Sequence, residues 1–148
     1  MQNAPKDLTK KIELRIRTMR TLWFALMMSV VSYFGFTVFI GKSANANPNN
    51  TLSLILLLAG MFTTIASLLV KQKLLSRSVE QQNEVMVQQA YIVAWALCEA
   101  SALMGLLDFF RTANRFYFAP LVIALIGDLI NYPRRQDVEA ALYKRPTF

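Results

Sequence analysis

Leu22 to Ile40, LWFALMMSVVSYFGFTVFI, is a run of nineteen residues without a charge, and no other feature constrains this chain as strongly. As an α-helix it is about 28 Å long, close to the ~30 Å hydrocarbon core of a bilayer. Only a helix satisfies the backbone of such a run in lipid, because every N–H and C=O then bonds within the segment. Three further apolar runs follow. Thr51 to Val70 is also uncharged, and its Leu-rich start gives way to Gly60, Thr63, Thr64 and Ser67. Small and hydroxyl residues of this kind suit close helix packing, and the hydroxyls can bond back to their own helix. Met86 to Phe110 carries Glu99 at its middle and Asp108 near its end. Phe116 to Asn131 is the shortest run and holds Asp128; its Pro120 falls in the first turn, where a missing N–H costs nothing.

The pattern predicts an all-α fold, an integral membrane four-helix bundle in a single domain over residues 1–148. Its parts are an amphipathic arm at 7–20, spans at 21–41, 51–70, 86–110 and 116–131, a loop at 71–84 and a tail at 132–148. The short link from Arg111 to Arg115 makes the third and fourth spans antiparallel neighbours. In the arm, Asp7 is placed to cap a helix in which Leu8, Ile12, Ile16 and Met19 recur at helical spacing, opposite Lys10, Lys11 and Arg17. Such an arm lies on anionic headgroups or docks on a partner, and spacing alone does not choose.

Composition agrees with lipid as the main solvent: 55% of residues are hydrophobic and 17% charged. Thirteen Lys and Arg residues fall in the arm, the 71–84 loop and the tail, including Lys144 and Arg145, against Lys42, Arg111 and Arg115 on the other face. That asymmetry predicts both termini in the cytoplasm, in a multi-pass protein of the bacterial inner membrane. Trp23, Tyr91, Tyr117 and Tyr132 are expected at the interfaces. The net charge of +7 gathers in the gaps between apolar runs rather than in a stripe, so nucleic acid is not an expected partner. Ala44-Asn45-Ala46 resembles a signal cleavage site, but the basic stretch before the first run is too long for a signal peptide, and retention is expected. Asn49-Asn50-Thr51 matches a glycosylation triplet, a pattern that arises often by chance.

With no histidine and one cysteine, Cys98, the chain lacks the parts for disulfide scaffolds, His-ligated metals or Ser-His and Cys-His catalysis. No catalytic residue, metal site or resident cofactor is expected, and an enzyme is not. Contact with pigment or quinone rests on the 11% aromatic content alone.

Glu99 is the leading site candidate, since an ionised group at mid-span costs ~2.5–3.5 kcal/mol or more and something must compensate. A neutral, protonated side chain, a hydrogen bond to a Ser or Thr of a neighbouring helix, and a carried proton or sodium ion all answer that cost. The least costly is a protonated Glu99 hydrogen-bonded inside the bundle. Ala94, Cys98 and Ala102, with Ser101 and Gly105, form a small-residue face for another helix, in this bundle or in a partner. Asp108 is expected to pair with Arg111, and Asp128 to reach the cytoplasmic interface.

The segment Glu99-Ala100-Ser101-Ala102-Leu103-Met104-Gly105-Leu106 resembles the ion-binding helix of rotary ATPase proteolipids, the c-type subunits. The second run, the 71–84 loop and the third run follow that family's hairpin order. The resemblance implies an ion-carrying Glu99 and a homo-oligomeric ring. It covers about a third of the chain; Gly60 is the lone glycine of the second run, and the first and fourth runs have no counterpart in such a hairpin. The expected function is a non-catalytic accessory subunit of a larger, energy-transducing membrane complex, with lipids and other transmembrane subunits as partners. The alternative is a proton- or sodium-carrying proteolipid acting through Glu99.

Overall fold

The computed structural model describes residues 4–40, 49–112 and 115–142; Lys42, Ala44-Asn45-Ala46, Lys144 and Arg145 lie outside them. The protein is all-helical, with α1 (Ala4–Ile40), α2 (Asn50–Glu80), α3 (Glu84–Thr112), a 3₁₀ turn (Arg115–Tyr117), α4 (Phe118–Ile130) and α5 (Arg135–Leu142). Three of these helices, α1 to α3, are long and apolar enough to cross a membrane, which marks a membrane protein; α4 is a shorter apolar helix.

The helices outrun their apolar stretches. The arm and the first run form one continuous α1, with Asp7 inside its first turn rather than capping it. No glycine or proline interrupts residues 6–34, so nothing ends the helix at the polar boundary. The expected 71–84 loop is likewise helical to Glu80, because its Lys, Gln, Leu and Arg residues are good helix formers. The chain turns at residues 81–83, where Gln82 takes a positive φ of 49°. Asn83 Oδ1 then accepts from the Val85 amide at 3.0 Å and starts α3. At the head of α2, Asn49 Oδ1 accepts from the Leu52 amide at 3.1 Å, so the acceptor residue of the glycosylation triplet serves as a helix cap.

α2, α3 and α4 form a three-helix unit, and α1 lies against α3 and α4 without touching α2 among the described residues. Within the apolar windows, 44% of residues are buried in α3, 22% in α2 and 11% in α1, which makes α3 the axis of the bundle. α1 runs parallel to α3, as Lys11–Glu84 and Ser29–Glu99 contacts show, and α4 runs antiparallel to both.

Close approach inside the unit depends on small residues. A Cβ added at Gly127 would sit 2.8 Å from both Cys98 Sγ and Thr64 Cγ2, and one at Gly105 would sit 2.9 Å from the Tyr117 carbonyl. Gly60 faces Ser101 and Pro120 in the same way. The small-residue face of α3 is therefore consumed within the chain: Ala94, Cys98, Ser101, Ala102 and Gly105 are all buried, Ala102 in a cluster with Val30 of α1 and Leu121 and Ala124 of α4.

A second core forms at the end of the bundle that carries the arm. Ile12, Ile16 and Met19 pack with Val87, Tyr91, Trp95, Val138 and Ala141. The apolar face of the arm is covered by α3 and α5 of its own chain. Tyr91, expected at an interface, is fully buried there, while Tyr132 remains 39% exposed.

Candidate functional site

Three clusters of polar side chains hold the acids of the apolar helices, each joining different helices. The first belongs to Glu99, which projects from the middle of α3 toward α1. Its Oε1 accepts from Ser29 Oγ at 2.8 Å and from Tyr33 Oη at 3.1 Å. Two hydroxyls four residues apart on one α1 face thus meet one carboxylate, and Glu99 stays half-buried.

The second cluster lies near the end of the bundle opposite the arm. Asp108, 1% exposed, accepts from Ser53 Oγ of α2 at 2.7 Å and from Thr112 Oγ1 at 2.5 Å. The expected Asp108–Arg111 pair does not form; Arg111 is exposed while Asp108 turns into the α2–α3 seam. Ser53 makes the difference, because an inward hydroxyl gives Asp108 a partner without a cation.

The third cluster joins α2, α3 and α4 nearer the arm. Ser67 Oγ donates to the Thr64 carbonyl at 2.7 Å and lies 3.4 Å from Cys98 Sγ. Asn131 Nδ2 donates to Ser67 Oγ at 3.2 Å and reaches Cys98 Sγ at 3.6 Å. Asp128, one turn earlier on α4, is 1% exposed rather than at an interface. Two indoles close over it: Trp23 Nε1 donates to the Asp128 carbonyl at 2.8 Å, and Trp95 Nε1 to the Asn131 carbonyl at 3.0 Å. Neither Asp128 carboxylate oxygen nor Asn131 Oδ1 has a hydrogen-bond partner among the described residues. Buried oxygens of this kind are rare, because desolvating an acceptor without a bond costs about 1–3 kcal/mol. Sequence reasoning ranked Asp128 below Glu99; the orphaned oxygens reverse that order.

Toward the arm, Tyr91 Oη donates to Asp137 of α5 and accepts from the Arg134 amide. Lys71 Nζ sits 5.0 Å over the Tyr91 ring, so this tyrosine ties together α2, α3 and the start of α5. No group of three or more His, Cys, Asp or Glu side chains that could hold a metal ion occurs among the described residues. Comparison with protein families, curated proteins and solved structures finds no match for this chain.

Proposed function

We propose that this chain crosses the bacterial inner membrane four times, with both ends in the cytoplasm, and serves as a non-catalytic accessory subunit of a larger, energy-transducing membrane assembly. The observation that carries this reading is where the chain's unused surface lies. Its small-residue face is filled by its own helices, so what remains for contact is the large-residue outer surface, most extensive on α1 and α2. Phe24, Phe34, Phe36 and Phe39 on α1, and Leu54, Leu58, Met61, Phe62, Ile65 and Leu69 on α2, are all exposed. An 11% buried α1 held along one edge leaves most of its circumference for neighbouring subunits and lipid.

Extraction in mild detergent followed by identification of every co-purifying chain tests the proposal. Stoichiometric partner chains are expected, and recovery as a lone monomer overturns it. One observation favours a second reading, proton or sodium carriage: Glu99 is only half-buried although it sits mid-helix. That reading requires a homo-oligomeric ring, so recovery of a ring of this chain alone would replace the first reading with the second.

A further inference from the structure

We infer that the groove between the arm segment of α1 and the start of α5 is a binding site for one anionic phospholipid, and this rests on the membrane placement proposed above. The groove is a hollow of about 520 Å³, lined by Ile16, Arg17, Arg20 and Phe24 of α1 and by Arg135 of α5, with Glu13 as the one carboxylate among its lining residues. That volume is within the range of small-ligand sites. Ile12 and Ile16 also line it, and past the guanidinium groups the lining turns apolar again at Phe24, within the uncharged run of α1.

Of the three arginines, Arg135 alone forms an ion pair among the described residues, with Glu139. Arg20 stacks 5.5 Å over the Tyr132 ring, which leaves its charge in place. Arg135 holds Glu139 through Nε at 2.6 Å. The Arg17 carbonyl accepts from Thr21 Oγ1 at 3.0 Å, while no hydrogen bond or ion pair engages its guanidinium among the described residues. A smaller hollow of about 240 Å³ shares Glu13 and Arg17 and adds Lys10, extending the cationic surface away from the apolar run. The guanidinium fork matches phosphate oxygens through paired N–H donors, so two or more of them on one face suit a phosphodiester.

Below the arginines the same α1 face continues as Phe24, Met28, Val31 and Val38, which are 56%, 43%, 41% and 60% exposed. Gly35 lies on this line too, with nothing within 4 Å of where its Cβ would be. From Phe24 to Val38 the track is about 21 Å long, enough for one acyl chain. A soluble phosphate would use the cationic end and leave this track unused, whereas a phospholipid fills both.

The full-length protein, purified in detergent, is tested by native mass spectrometry with added phosphatidylglycerol or phosphatidylcholine. One phosphatidylglycerol per chain is expected to persist. Replacing Arg17→Gln and Arg20→Gln together should reduce that adduct about tenfold or more, whereas Lys73→Gln with Arg77→Gln, exposed charges outside the groove, should leave it unchanged. Equal retention of the two lipids, or equal loss in the two double variants, overturns the site in favour of general charge attraction. Circular dichroism of each variant shows whether it is folded. Alkaline carbonate extraction of the source membranes reads the placement separately: release of the chain defeats the membrane reading itself, while retention with no lipid preference defeats only the site.

Discussion

Glu99 and Asp128 are both acids within apolar helices, yet their surroundings make opposite demands. Two hydroxyls donate to Glu99, and a hydrogen bond of this kind contributes about 0.5–1.5 kcal/mol. Glu99→Leu removes the acceptor and leaves Ser29 and Tyr33 without a partner, so a loss of about 1–3 kcal/mol is expected. Asp128 has no donor in full hydrogen-bond geometry on either carboxylate oxygen, the Cys98 thiol being the weak donor beside it, and Asn131 Oδ1, one turn away, lacks one too. Asp128→Asn removes an acceptor and supplies N–H donors where oxygens want them, so a gain of about 1–3 kcal/mol is expected. Thermal or sodium dodecyl sulfate unfolding of both variants in one detergent measures the two signs. A loss in Asp128→Asn would mean that a cation or donor from outside the chain completes Asp128.

The arm shows how packing, rather than charge, fixes an element. Met19 is fully buried in the core shared by α1, α3 and α5, so Met19→Ala should cost about 2–5 kcal/mol and expose the arm to trypsin at Lys10, Lys11 and Arg15. Glu84 holds Lys11 at 2.7 Å and Arg15 at 3.4 Å, but the Lys11 side chain is 58% exposed. The Arg15 side chain is only 19% exposed and would lose its carboxylate, so Glu84→Ala should cost about 1–3 kcal/mol and leave the cleavage pattern unchanged while the Met19 core holds. The periodicity of Ile12, Ile16 and Met19 announced an amphipathic helix from sequence. What covers it was not legible, because α5 comes more than 110 residues later and its own apolar face is only Val138 and Ala141. Hydropathy likewise located the apolar stretches of α1 and α2 but not the helix ends, since helix propensity continues through Lys71 to Glu80 where hydropathy stops. Glu99 stood out as a site by its position alone. Its partners depend on how α1 is rotated about its axis, and single-helix patterns carry no such information. Asp128 was misplaced for a related reason: distance from a polar tail says nothing when Trp23 and Trp95 fold over the helix end.

The number of crossings turns on α4, whose 13 residues make a helix of only about 20 Å against a ~30 Å core. The 3₁₀ turn at Arg115–Tyr117 and the capping Asn131 lengthen it at both ends. α5 supplies the stronger argument. Tyr91 Oη bonds to Asp137 and to the Arg134 amide, and Tyr91 belongs to the N-terminal third of α3, where Lys11 and Arg15 also meet Glu84. Arg111 and the start of α4 lie at the other end of α3, so α4 together with residues 131–134 carries the chain back from that end to the level of Tyr91. Single cysteines in a Cys98→Ala background turn this into a measurement: Ser76→Cys and Gln136→Cys at the arm end, Thr51→Cys and Arg111→Cys at the other, all at exposed positions. With a membrane-impermeant maleimide on intact cells, positions 51 and 111 should label, and positions 76 and 136 only after permeabilisation. If α4 instead dips into the membrane and returns, position 136 labels with 111 while 76 stays protected. The contacts of Tyr91 with α5 would then have to be broken in the membrane, and the four-crossing reading would go with them.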